Sequence, residues 1–336
     1  MMRTACKILF AVILACGFWL QGKSQVDPHF SQYYMHPHYL NPATTGVMGG
    51  DQRVATVFRN QWADITNAFS TKGLTADLAT NKNMNFGINI LSQTAGDAGY
   101  NYSNAYFSLA YTGLKFGSEE NQHVVIGMQA GFISRKVEPS KFKWGDQWNP
   151  VTGFNPLNPT TDIFTRTNSI VPDFAAGVLY YDNTIEKLAH PYIGFAAFHI
   201  NKPKDPFMSG SAEDKFIPMR FSVHGGISLI MGDNLTIVPN GLYMKQGTST
   251  DKVIGTYLQT RANDVTDVMF GMNYRLKDAI IPFAGMTYNN LTFGVSYDIN
   301  VSQLIKTGVS ANSFEVTLSY IRKNPSSPDY FKCPRM

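Results

Sequence analysis

The chain has 336 residues, with 28 basic against 24 acidic side chains, 44% hydrophobic and 13% aromatic content, and three cysteines. Three of the cations, Arg3, Lys7 and Lys23, fall in an N-terminal leader that holds no acid, so the remainder is close to neutral and gives no electrostatic reason to expect nucleic acid as a partner. Cys6 and Cys16 fall in the same leader, and Cys333 alone makes no intramolecular disulfide, so the fold has to be held by burial or by closure.

Residues 1–24 read as a secretory signal peptide. Met1 to Lys7 is short and basic, Ile8 to Leu20 is almost wholly apolar, and Gly22-Lys23-Ser24 supplies small residues at the cleavage positions, which puts the cut before Gln25. A lipoprotein cut before Cys16, at Ile13-Leu14-Ala15-Cys16, would instead leave Gly17-Phe18-Trp19-Leu20 as a greasy mature start. Residues 25–50 then form a segment of their own. Its stretch DPHFSQYYMHPHYLNPATTG, Asp27 to Gly46, follows neither a helical nor a strand period. Pro28, Pro37 and Pro42 forbid continuous ladder pairing, while Phe30, Tyr33, Tyr34, Met35, Tyr39 and Leu40 need a surface to cover. The aromatic density argues against a solvated lead-in and for a plug, packed from the periplasmic side into the body of the protein.

From residue 51 onward the chain shows strict alternation. Leu291, Phe293, Val295 and Tyr297 share one face against Thr292, Gly294, Ser296 and Asp298, and Phe314, Val316, Leu318 and Tyr320 oppose Glu315, Thr317 and Ser319. Strands are expected near Arg53–Trp62, Thr71–Ala79, Asn85–Ser92, Tyr102–Thr112, His123–Arg135, Pro172–Tyr181, Pro191–His199, Met219–Leu229, Leu235–Lys245, Val253–Arg261, Val268–Arg275, Ile280–Tyr288, Leu291–Asp298 and Ser313–Arg322. A soluble β-sandwich and a membrane barrel both show this pattern. The connections separate them, because odd-numbered ones total roughly ninety-five residues and even-numbered ones roughly thirty-five, the long-outside, short-inside habit of outer-membrane barrels. Tyr111, Tyr180, Tyr181, Tyr274, Tyr297 and Tyr320 near strand ends suit interfacial girdles in contact with outer-membrane lipid. The expectation is therefore an all-β, transmembrane outer-membrane β-barrel of about 14 antiparallel strands over residues 51–322, with an N-terminal plug-like segment and a periplasmic tail at 323–336.

Within the first strand, Arg59 and Gln61 share a face opposite Phe58, Asn60 and Trp62, and the mixed character of both faces leaves open which one points inward. A polar lumen network outweighs a substrate site there. The longest connection, Lys136 to Val171, carries Trp144, Asp146, Trp148 and several Asn-Pro pairs, and reads as a loop for a partner or for the pore. The connection Asn201 to Pro218 has mixed charge and reads as solvated. His29, His36 and His38 lie in an irregular segment with no paired carboxylate at metal-ligand spacing, so no metal site is assigned. Gly294 to Asp298 lacks the second glycine of a nucleophile elbow, and Ser222, His224 and Ser228 read as one polar strand face rather than catalytic groups. No cofactor and no enzymatic activity are expected.

The motifs DPHFSQYYMHPHYLNPATTG, VFRNQW, GMQAGFISRKVEPSKFKWGDQW and IPMRFSVHGG, in that order, resemble those of the PorP/SprF family of outer-membrane proteins from Bacteroidota. The resemblance rests on Asp27, Pro28, Phe30, Ser31, Gln32, Tyr33, Asn41, Pro42, Ala43 and Gly46, on Arg59, Asn60, Gln61 and Trp62, on Gly145, Asp146 and Gln147, and on Pro218, Arg220 and His224. Thr44-Thr45 stands where the family often has tyrosine before the turn glycine. It implies a barrel tied to the type IX secretion system and gliding motility, acting on a large secreted adhesin with a C-terminal sorting domain or docking to periplasmic ring proteins. The competing class is a small-molecule channel or hydrophobic-substrate transporter with an N-terminal hatch. Inward faces rich in Gly, Ser, Thr and Asn favour the interaction protein.

Overall fold

The computed structural model describes residues 27–62, 69–80, 82–96, 99–117, 119–160, 166–184, 186–204, 216–232, 234–302 and 312–322. The expected signal peptide, the tail with Cys333 and the charged centre of the Asn201–Pro218 connection lie outside the described residues. The strands are β1 (Gln52–Gln61), β2 (Phe69–Leu78), β3 (Met84–Ala95), β4 (Tyr100–Phe116), β5 (Gln122–Val137), β6 (Trp148–Asn149), β7 (Gly153–Phe154), β8 (Asn168–Asp182), β9 (Ala189–Phe198), β10 (Arg220–Met231), β11 (Leu235–Gln246), β12 (Ser249–Asn263), β13 (Thr266–Arg275), β14 (Ala279–Tyr288), β15 (Leu291–Asn300) and β16 (Ser313–Arg322). Fourteen of them close into one antiparallel barrel in which β1 pairs with β16 from Gln52↔Arg322 to Gln61↔Ser313. β6 and β7 form a separate two-stranded hairpin inside the longest connection, with short 3-10 turns at Pro139–Lys141 and Gly145–Gln147. That loop therefore has local structure of its own, where the sequence signalled only turns.

Alternation sorts the side chains. On β1, Arg53, Ala55, Val57, Arg59 and Gln61 are buried, so Arg59 faces the lumen, while Val54, Thr56, Phe58 and Asn60 turn outward. Around the outside, Phe86, Ile88, Phe107, Phe132, Phe195, Ile254, Phe270 and Phe293 are all exposed. A sandwich would have hidden them between sheets, whereas closure hides every strand edge and leaves the apolar face for lipid.

The two ends of the barrel differ. One, the long-loop end, carries the connections β5–β8, β9–β10 and β15–β16. The other, the short-turn end, carries tight turns such as Asn289-Asn290 between β14 and β15. The pattern is not uniform, because β11 and β12 are joined at the long-loop end by only Gly247 and Thr248.

The segment 27–50 occupies the lumen, and its side chains are buried almost without exception. It holds single helical turns at Tyr33–Met35, Pro37–Leu40 and Pro42–Thr44, each too short to show a period. It starts at the long-loop end, where Asp27 meets His199, and finishes at the short-turn end, where the Asp51 amide donates to the Arg322 carbonyl at 2.9 Å. It thus runs the height of the barrel.

Candidate functional site

Three polar clusters and one tight backbone contact tie this segment to the wall. At the long-loop end His199 stands between two carboxylates, its Nε2 2.8 Å from Asp27 Oδ2 and its Nδ1 2.9 Å from Asp173 Oδ2. A neutral imidazole has one N–H, so two carboxylate partners select the doubly protonated ring. Burial opposes that charge, but the Asp27 carboxylate, then the hydrogen bonds to Asp173 and Asp27, outweigh it and raise His199 to about 9. For Asp27 burial works upward, and the His199 charge and hydrogen bond, with Arg220 and Arg135, overcome it and hold the carboxyl below the usual range. The Arg220 guanidinium stacks between the Tyr39 and Phe198 rings, 4.0 Å from each centroid, and donates to the Tyr39 carbonyl at 3.0 Å.

Lower in the lumen, the Glu315 carboxylate accepts the Ser31 and Gln32 amides, both at 2.8 Å. Arg59 donates to Glu315 at 3.1 Å, to Asp298 at 2.8 Å and to the Ser31 hydroxyl. Arg275 shares Asp298 at 2.9 Å and reaches the same hydroxyl. Two cations and two carboxylates therefore close around one turn of the plug, which is how buried charge becomes tolerable. Near the short-turn end Arg53 pairs with Asp77 at 2.8 Å and donates to the Thr44 carbonyl, while Asp77 accepts the Gly46 amide at 2.7 Å and lies 3.4 Å from His38.

Asn41-Pro42-Ala43 makes the tightest approach to the wall. Asn41 Nδ2 donates to the Val178 carbonyl at 3.0 Å and lies 3.2 Å from His224 Nε2, and its Oδ1 accepts the Ala43 amide at 2.9 Å. Pro42 opens the turn, where a missing N–H costs nothing. These contacts need two glycines, since a Cβ on Gly177 would run into Asn41 Oδ1 and one on Gly127 into the Pro42–Ala43 backbone. The next turn carries Thr44-Thr45, whose hydroxyls donate to the carbonyls of Asn41 at 2.7 Å and Pro42 at 2.8 Å. These two residues close the turn from within.

The expected residues separate into three groups. Phe30, Tyr33, Tyr34, Asn41, Pro42 and Arg59 meet in the lumen: Phe30 packs on Tyr39, Tyr33 donates to Asn240 Oδ1 at 2.5 Å, and Tyr34 lies against Tyr257 and Phe283. Asn60 alternates onto the outer side, and Trp62, just past the end of β1, is exposed and packs edge-on against Phe69, so neither packs with the plug. Trp144, Asp146 and Trp148 sit together on the long loop, with Trp144 against Phe142, Trp148 against Phe154 and Asp146 exposed. Missed by sequence reasoning were Asp27's partner His199, the Asp173 carboxylate on the far side of that ring, and the carboxylates Asp77, Asp298 and Glu315. The available signal was a charge on the polar face of an alternating strand, since lipid would not tolerate it on the other face.

The family model for type IX secretion system membrane proteins PorP/SprF matches residues 22–320, through nearly all of the last strand. The chain belongs to the PorP/SprF family. It is accordingly a membrane protein of the type IX secretion system with an outer-membrane barrel fold, and it works among the components of that machinery. No curated protein matches the chain. Among solved structures, it is similar to the toluene transporter TbuX of Ralstonia pickettii, at 12% identity over 84% of this chain and 92% of that one with a TM-score of 0.48. It is also similar to the toluene transporter TodX of Pseudomonas putida, at 6% identity over 88% and 94% with a TM-score of 0.47. The KdgM porin matches at 10% identity over 80% and 99%, with a TM-score of 0.37. Likeness this distant carries no inference about function.

Proposed function

We propose that this PorP/SprF protein is a non-enzymatic, closed barrel that holds partners in the type IX pathway rather than conducting solutes. The observation that supports this is the occupied lumen: residues 27–50 fill it from end to end and are bonded to strands on opposite walls, including β1, β8, β10 and β16. With transport blocked, work is left to the two ends. The long-loop end, with Trp144, Asp146 and Trp148 in a locally structured loop, faces the cell surface and engages a large secreted adhesin bearing a C-terminal sorting domain, supporting its export or attachment. The short-turn end faces the periplasm, where the tail at 323–336 and the adjoining turns dock to ring proteins. A cleft at the long-loop end, lined by Asp27, His29, Arg220, Gln246 and Asp251 among others, has about 30 Å³ of free space. That is room for a water or two.

The test is to place an affinity tag within 323–336, extract the protein gently from its own outer membrane, and identify what accompanies it by mass spectrometry. A large secreted protein with a sorting domain, or ring components, is expected. A bare barrel with a small molecule held inside its lumen would overturn the reading and make the plug a transporter's hatch.

A further inference from the structure

One corner of the outer surface at the long-loop end combines an apolar floor, two tyrosines and three lysines. On β11, Leu242 and Gln246 are buried toward the lumen, so Tyr243 and Lys245 point outward, and on β12 the buried Val253 leaves Lys252 and Ile254 outward. The ladder sets these side by side. Lys245 pairs with Phe221 on one side and Thr250 on the other, Tyr243 pairs with Lys252, and Ile254 pairs with Tyr274. Lys252 Nζ lies over the Tyr243 ring, 5.8 Å from its centroid. The Leu276 amide donates to the Lys252 carbonyl at 2.9 Å, which brings the turn bearing the exposed Lys277 against the same corner.

The two acids of this corner are engaged by Arg275. Asp251 faces the lumen and lies 3.5 Å from Arg275 Nε, and Asp278 lies 3.3 Å from Arg275 Nη1. Among the described residues no carboxylate comes within ion-pair distance of Lys245, Lys252 or Lys277, because Arg275 holds both the lumenal Asp251 and the half-exposed Asp278, and the three lysines of this corner stand without an ion pair. Below it the outward surface is Ile254, Leu258, Phe270 and Met272, all exposed and apolar. Residues on one strand face step by roughly 6–7 Å, so the ammonium groups stand about one step beyond the apolar belt, beside its tyrosine girdle. That is headgroup depth.

We propose that Lys245, Lys252 and Lys277 form a binding site for the phosphate group of an outer-leaflet glycolipid, with Phe221, Tyr243 and Tyr274 against its acyl chains. Lys245 and Lys252 stand on adjacent strands and Lys277 on the turn bonded to Lys252, so one anion can draw on all three, and the aromatic floor gives the attached lipid an apolar contact that a free phosphate ion would not use. At roughly fivefold per lysine, removing all three weakens binding by about 100-fold. The site shares with the proposed function only the assignment of the long-loop end to the cell surface.

The measurement is lipid retention by native mass spectrometry, and affinity in nanodiscs, using bis-phosphorylated lipid A, its dephosphorylated form, phosphatidylglycerol and inorganic phosphate as separate probes. The full-length protein should retain phosphorylated lipid A and release the dephosphorylated form. K245Q/K252Q/K277Q should bind about 100-fold more weakly, K245R/K252R/K277R should bind like the parent, and K82Q/K115Q at the short-turn end should change nothing. The arginine variant separates loss of charge from failure to fold. Equal binding by the glutamine variant would overturn the site. A preference for phosphatidylglycerol would assign it to the inner leaflet and overturn the glycolipid assignment, and binding of inorganic phosphate alone would remove the lipid altogether.

Discussion

The His199 latch makes a pH-dependent prediction. His199 has an ordinary pKa of 6.5 and is held at about 9 in the folded barrel, where its charge faces Asp27 and Asp173 with Arg220 and Tyr106 close by. A raised folded pKa means that the stabilisation is complete below the unfolded value and disappears as pH climbs through the folded one. The window is therefore pH 6.5 to about 9. A difference of this size corresponds to about 3 kcal/mol, or a few hundred-fold in the opening of the N-terminal segment at most. Asp27 works in the opposite sense, adding stability above the usual carboxylate range and losing it under strong acid, so the latch is firmest in mildly acidic to neutral solution. Hydrogen exchange over residues 27–40, corrected for the intrinsic rate at each pH, reads opening of the segment directly. Protection should fall by up to a few hundred-fold from pH 6.5 to 9 in the parent, and H199Q should start low and stay flat. A parent that is also flat over that window would show that His199 is not held as a cation between the two acids, and the latch would be lost with it.

Two further substitutions separate the plug from the wall. Gly127→Val suits a strand but drives its side chain into the Pro42–Ala43 backbone, which cannot rotate away, so about 1–3 kcal/mol of overpacking should fall on the plug rather than the barrel. Single-channel recording should then show conductance that the parent lacks, as should deletion of Gln25 to Gly46, and a closed trace in both would mean that the segment is not what seals the lumen. Arg59→Met leaves Asp298 its partner Arg275 but strips Glu315 of its cation, and urea unfolding in detergent should show a loss of about 3–5 kcal/mol. R59M/E315Q should recover part of that loss, since the neutral amide needs no counter-charge but its single oxygen accepts only one of the Ser31 and Gln32 amides. If the double variant is no better than the single, the cost arises from packing.

The fourteen strands were legible because period two survives wherever one face meets lipid and the other does not, and each expected strand centre lies on an observed strand. β1 is the instructive exception: Arg59 and Asn60 are both polar, and only the pairing of Arg59 with Glu315 on β16, at the other end of the chain, decides that one is inside and the other outside. The plug was legible as something that needed a surface, from its aromatic residues and prolines, but its partners were not. Ser31 meets Glu315 across 284 positions and Asp27 meets His199 across 172, and no local pattern carries such pairings. The glycines were least legible of all. In a strand, Gly127 and Gly177 read as weak points with no side chain to pack; against the Asn41-Pro42-Ala43 turn they are the places where the wall gives way by one Cβ so that a second backbone can lie against it. A barrel that conducted through this region would have no use for that shape, since bare backbone facing water needs no matching partner. The glycines match the plug position by position, and this match is the strongest internal argument that the wall and the N-terminal segment form one closed unit.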